Sequence, residues 1–294
     1  MLIQGSKTII IISSSSILAN LLVILLLVNQ PRRLLYSLKI IAITTVVDLL
    51  TSILFLTFSL LNIWDKINTD FYCQVIGSLS PLAIILSCLL VTSLAIERYN
   101  VVKYGKNISK IKLLAIISLL LCPVVVLTIL LLYNQEYALA PSSEYCIAKN
   151  SILGLVYKAL VTLILLILLP LITYYYIKIL VLLARVNFDN HVVIYLDSIN
   201  VLSYSIKKEN KWNTTWIFVR SILIILAYNL VLIPLLVSSL WSTIDPKSKP
   251  EVLDRIGAIA IFLIFIINPI IILGLHSTLS KDFYKLVFCK KARQ

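Results

Sequence analysis

Seven apolar runs of about 20 residues or more organise this chain, at approximately 8–28, 39–62, 74–97, 112–133, 153–184, 215–241 and 255–276. A helix of about 20 apolar residues is long enough to cross a bilayer core of roughly 30 Å. With 60% hydrophobic and only 13% charged residues, a soluble domain of 294 residues could not hide so much apolar surface. The sequence therefore predicts an all-α membrane protein, a seven-transmembrane helix bundle over residues 1–276, with a short basic segment, 277–294, after it. The first run is longer than a signal-peptide core, and no basic leader with a small-residue cleavage site precedes it, so it is read as a retained span.

The loops set the orientation. If the N-terminus lies outside, most of the 26 Lys and Arg fall on the cytoplasmic side, among them Arg32, Arg33, Lys103, Lys106, Lys110, Lys112, Lys207, Lys208 and Lys211. That asymmetry is the positive-inside rule. The formal net charge of +13 is thus mostly a topology signal, and it favours anionic lipid head groups at the inner face. The basic residues are spread over short loops rather than gathered with aromatics on one surface, which argues against nucleic acid as a partner.

Five cysteines sharpen the picture. Cys88 and Cys122 fall within spans, where thiols behave as small apolar side chains. Cys289 lies in the basic tail. Cys73 and Cys146 are the two on the outer side, in an oxidising compartment, where they either bridge or remain two separate thiols.

The end of the third span reads "SLAIERYNVV", with Glu97, Arg98 and Tyr99 where the helix leaves hydrocarbon. Arg98 follows Cys73 by 25 residues, or about 37 Å of helix. In this the chain resembles the rhodopsin-like family of G-protein-coupled receptors, and the resemblance covers nearly its whole length. It implies a bridge from Cys73 to Cys146 in the second outer loop. It also implies a switch at Glu97, Arg98 and Tyr99, in which Glu97 neutralises a partly buried Arg98 at rest and Arg98 later bonds a heterotrimeric G protein.

Further residues carry the same resemblance. Asn20 in "ILANLLVI", Asp48 in "VVDLL", and Asn268 with Pro269 in "INPII" stand where the family has its mid-membrane Asn, Asp and Asn-Pro. Ser87 lies eleven residues before Arg98, at a family serine. Polar groups in hydrocarbon must be satisfied. Either each bonds backbone or water separately, or Asn20, Asp48, Ser87 and Asn268 converge as a water and sodium cluster. Asp48 and Ser87 are then the candidate sodium ligands, since a hard cation takes oxygen donors. Pro170, Pro234 and Pro269 fall inside the fifth, sixth and seventh spans, where proline removes a hydrogen bond and kinks the helix. Pro81 and Pro123 sit in the third and fourth spans.

The departures from the family pattern are as specific. Ile272 stands where the family has the tyrosine of Asn-Pro-x-x-Tyr. Leu232 replaces the aromatic switch before Pro234, with Tyr228 a turn earlier. Lys178 occupies the place of an inner tyrosine, beside Tyr174, Tyr175 and Tyr176. Thr214 takes the place of an acid, and Lys106 that of an apolar plug. These leave the fold intact and bear on whether the chain signals in the standard way, signals constitutively, or does not signal.

For the ligand, Ser80 stands where amine receptors carry an acid and Phe262 where opsins carry lysine, so monoamines and retinal are disfavoured. About seven residues before the first span are too few for a large hormone-binding domain. The expected pocket comprises Ser80, Ile84, Lys158, Leu232, Ser239 and Phe262, suited to a small, largely apolar extracellular ligand with an anionic group toward Lys158 or Arg255. In the tail, Leu279, Phe283, Leu286 and Val287 share one helical face, an amphipathic pattern that lies on the membrane. Cys289 is a palmitoylation candidate, an unmodified thiol being the alternative.

Two other classes fit the sequence less well. A transporter would show internal repeats or Gly/Pro-broken helices, and the chain has six glycines and no repeat. An enzyme would need a catalytic set, and His191 and His276 have no spaced metal partners. The closer competitor is a receptor-like protein that acts as a scavenger or as the dimer partner of another receptor.

Overall fold

The structure, a computed structural model, describes residues 2–28, 36–63, 69–104, 109–140, 145–188, 211–245 and 249–275. Among these residues the chain forms helices α1 (Leu2–Val28), α2 (Tyr36–Ile63), α3 (Thr69–Tyr104) and α4 (Lys110–Tyr133), then a hairpin of β1 (Tyr137–Leu139) and β2 (Cys146–Ala148). Helices α5 (Ile152–Phe188), α6 (Lys211–Ile244) and α7 (Glu251–Leu275) follow. Each of the seven helices is long and apolar enough to cross a membrane, so this is a multi-pass membrane protein.

Several helices outrun their apolar stretches, because extending a formed helix is far cheaper than starting one. Helix α7 begins at Glu251, four residues before its apolar run, with Glu251 and Asp254 in the first turn. Acids are favoured there by the unpaired N–H groups of the helix start. At the other extreme, α4 ends in a left-handed residue, Gln135, with φ 52°. Gln135 N–H bonds Leu132 O at 3.1 Å and Glu136 N–H bonds Leu131 O at 2.9 Å. This reciprocal pair satisfies the last carbonyls and turns the chain into β1.

Successive helices pack around the bundle and α7 closes it against α1. Helix α3 lies inmost, touching α2, α4, α5 and both strands, and 61% of its membrane window is buried against 17% for α4. Ile111, Leu119 and Tyr133 of α4 are exposed, as suits a helix whose outer face meets lipid. The main core runs through α3, α5, α6 and α7, with Ile85, Leu89, Leu168, Ile172, Tyr176 and Phe265 fully buried. A second cluster joins Val23, Leu26, Ile41, Leu90, Leu94 and Ile272.

The hairpin is fastened to α3 at three points. The Cys73–Cys146 disulfide joins them with a Cα–Cα distance of 5.3 Å. Gln74 Nε2 donates to Tyr137 O at 3.1 Å. Gly77 lets the Tyr137 ring lie directly on the helix, since a Cβ there would stand 2.6 Å from Tyr137 Cδ1. Tyr137 is buried, edge-on to Tyr157 of α5.

Candidate functional site

Below the hairpin is a cavity of about 120 Å³ between α3, α5, α6 and α7. Its walls are mostly apolar, including Ile84, Val161, Leu165, Leu235 and Ile261, with Tyr145 and Ile147 of the hairpin side above. The polar groups are few and convergent: Ser80, Ser238, Ser239, Ser242, Lys158 and Lys249. An apolar pocket with a small polar set is the usual form of a small-molecule site. Ser239 and Thr162 share a hydrogen bond of 2.6 Å that ties α6 to α5. Gly257 brings α7 against Ser238, whose Oγ would be 2.4 Å from a Cβ at that position. Asp254, fully buried, accepts from both Lys249 Nζ and Tyr145 Oη at 2.5 Å, joining α7, the chain before it and the hairpin.

Of the pocket residues expected from the sequence, Ser80, Ile84, Lys158 and Ser239 line this cavity. Leu232 and Phe262 do not. Leu232 is buried in the core, and Phe262 packs edge-on to Phe55 with ring centroids 4.6 Å apart. Leu235, one turn along α6 on the same face, and Ile261, a neighbour of Phe262 about 100° round α7, line the cavity instead: Leu232 lies a turn too deep and Phe262 on the wrong face. Arg255 is not the second cation either: it pairs with Glu251 at 2.6 Å, one turn back on α7. Lys249 takes that place. Its loop position gave no periodic signal by which sequence reasoning could find it.

Deeper in the bundle, three helices meet at one carboxylate and a fourth joins them through Asn268. Asp48 of α2 accepts from Ser87 Oγ of α3 at 2.9 Å and from Asn268 Nδ2 of α7 at 2.8 Å. Asn268 Nδ2 also reaches Ser87 Oγ at 2.7 Å, and its Oδ1 accepts from Tyr228 Oη of α6. All four side chains are buried. Tyr228 was visible in the sequence only as a lone phenol in an aliphatic span.

Asn20 does not join this cluster. Its Nδ2 donates to Phe265 O at 3.1 Å, beside Ser16 Oγ, which donates to the same carbonyl at 2.9 Å. The reason lies in α7. Pro269 has no N–H, so the carbonyl four residues earlier, Phe265 O, loses its helical donor. Asn20 and Ser16 of α1 replace it. Ser16 also bonds Ser52 Oγ at 2.7 Å, and Ser52 bonds the Asp48 carbonyl at 2.6 Å, so α1 meets α2 through serines. Ser16 and Ser52 lie one turn from Asn20 and Asp48, a spacing that shares a helix face.

Carboxylate and hydroxyl oxygens are the donors a sodium ion takes. Here, however, both Asp48 carboxylate oxygens already accept protein hydrogen bonds, and Ser87 Oγ and Asn268 Oδ1 are engaged as well. These bonds form a circuit closed among the protein's own groups; each Asp48 oxygen keeps a further lone pair, so a sodium ion there would share these oxygens with the circuit or displace part of it.

At the far end of α3, Glu97 is buried, with Oε2 lacking a hydrogen-bond partner among the described residues, and Arg98 is half-buried. Tyr99 stacks near Tyr175 of α5 at 5.5 Å between centroids. Tyr176 is fully buried, while Lys178 is exposed over the Tyr174 ring at 5.4 Å. The inward tyrosine of α5 is therefore Tyr176, two residues before the position the family pattern suggested. Lys106, Cys289 and the segment 277–294 lie outside the described residues, as does the side chain of Thr214.

The fold and these sites define a seven-helix, multi-pass membrane protein with a disulfide-anchored hairpin over one end of the bundle. No family model matches the chain, and no curated protein matches it.

Proposed function

We propose that the chain is a divergent rhodopsin-like G-protein-coupled receptor of the plasma membrane, N-terminus outside, passing the binding of a small extracellular ligand to an intracellular G protein. The observation that carries this reading is the layout of α3. One helix bears the disulfide at Cys73, the cavity wall at Ser80 and Ile84, the polar circuit at Ser87, and the charged triplet at Glu97, Arg98 and Tyr99.

A ligand between α3, α5, α6 and α7 acts by its different affinity for two arrangements of those helices. The circuit at Asp48 holds α2, α3, α6 and α7 in one arrangement. Separating α6 from α7 breaks the Tyr228–Asn268 bond and moves Tyr228 relative to α3 and Arg98. Arg98 then turns to a partner's carbonyl groups. Guanine-nucleotide exchange by purified G protein on membranes holding wild type or Arg98→Ala tests this. A basal or ligand-driven signal lost in Arg98→Ala supports the receptor, and no exchange under any stimulus removes it.

A second reading, a non-signalling scavenger or heterodimer partner, is favoured by Ile272. It is buried among Ile41, Leu90 and Leu94, an apolar packing with no hydroxyl to exchange during a switch. A transporter reading has no such observation behind it.

A further inference from the structure

The charges around the cavity do not balance. Two ammonium groups, Lys158 and Lys249, line it. Lys249 is neutralised by Asp254 at 2.5 Å. Lys158 is buried, yet its Nζ meets only a neutral acceptor, Asn150 Oδ1, at 2.6 Å. Among the described residues no carboxylate pairs with it. A buried ammonium without a counter-charge is costly, and an anion brought to it recovers that cost as a charge-assisted hydrogen bond. Ser239 and Ser242 line the same cavity, but the Ser242 hydroxyl donates to Ser238 O at 2.9 Å and Ser239 shares its hydrogen bond with Thr162, which leaves the Lys158 ammonium as the donor for an anion. The remaining walls are aliphatic, which suits a hydrocarbon body and not a second charge.

We propose that this cavity binds a small amphiphile with one anionic head and an apolar body, and that Lys158 is the residue that holds the head. The proposal rests on the receptor reading only for the location of the cavity. Cationic amphiphiles are rejected by the two lysines, and neutral ones leave Lys158 uncompensated. Specificity thus comes from one buried charge, while Lys249, already paired with Asp254, contributes less.

The test is direct binding to the purified full chain in nanodiscs of neutral phosphatidylcholine, with decanoate, decanol and decyltrimethylammonium as probes and no G protein present. The expected result is that decanoate binds at least about tenfold more tightly than either of the others, a difference of about 1.4 kcal/mol. In Lys158→Gln the preference for decanoate disappears, and in Lys158→Arg it persists, with unfolding midpoints of the empty variants reported alongside. Equal binding of decanoate and decanol to wild type overturns the proposal. So does an undiminished decanoate preference in folded Lys158→Gln. Because binding is read without G protein, the absence of nucleotide exchange under every stimulus would sink the receptor reading and leave this binding result standing.

Discussion

Asn268 of α7 donates to Asp48 of α2 at 2.8 Å across 220 residues of sequence, and the same amide group accepts from Tyr228 of α6. This amide is the junction of the buried circuit, because its donor and acceptor sides serve different helices. Asn268→Ala leaves Asp48, Ser87 and Tyr228 short of partners and should destabilise the bundle by about 2–4 kcal/mol, within the range for stranding buried polar and charged groups. Tyr228→Phe removes one hydroxyl and should cost about 1 kcal/mol, the net worth of a typical hydrogen bond. Thermal unfolding in nanodiscs measures both. Equal losses would show that Asn268 is not the junction.

The closed circuit at Asp48 makes a prediction about sodium. Exchanging sodium for choline at constant ionic strength should leave the unfolding midpoint of the ligand-free protein unchanged. A rise of several degrees with sodium, absent in Asp48→Asn, would show that the circuit opens around an ion.

Gln135 occupies a left-handed position at the end of α4, with φ 52°. Glycine adopts that conformation without a Cβ penalty, so Gln135→Gly should stabilise the protein by about 0.5–1 kcal/mol. The bond from Lys149 Nζ goes to the Gln135 carbonyl and survives the change. A lowered unfolding midpoint would contradict this.

The Tyr137 phenol is buried beneath the hairpin with the Tyr157 phenol beside it, and burial first, then that neighbour, pushes its pKa well above the ordinary 10.0. The folded state therefore keeps a proton that the unfolded chain gives up. Its contribution to stability is fully present below pH 10 and is lost as the pH rises beyond that value. Tyr137→Phe should flatten the decline of the unfolding midpoint above pH 10. An unchanged alkaline slope would exclude Tyr137 as its source.

The disulfide closes a loop with a sequence separation of 73 residues. Cys146→Ser should cost about 2–5 kcal/mol, as removal of a native bridge commonly does. Mass-tagging of thiols before and after reduction checks the bond itself. In denatured wild type, Cys73 and Cys146 should take up tag only after reduction, whereas the free thiols Cys88 and Cys122 need none.

Much of this architecture could be read from the chain. The apolar runs marked all seven helices, and isolated polar residues within them marked Asp48, Ser87 and Asn268, because a buried polar group must find a partner wherever the helix takes it. What could not be read was the partner. Asn20, Asp48 and Asn268 looked alike as lone polar residues, yet only two of them meet. Asn20 goes instead to the carbonyl that Pro269 leaves open. Likewise Leu232 and Phe262 stood in the right helices for the cavity, but Leu232 a turn too deep and Phe262 on a face turned into the core.

Local order along one helix was set by sequence alone. Cys73, Ser87 and Arg98 occupy fixed heights on α3, because a helix rises by a constant 1.5 Å per residue. Which helix faces which, and through which side chains, was decided only in the bundle. A membrane helix apolar on every side carries little information about its rotation, so close packing and hydrogen-bond satisfaction choose it. That choice put Tyr228 on Asn268, Tyr99 near Tyr175, and Lys158 at a cavity wall without a counter-charge among the described residues.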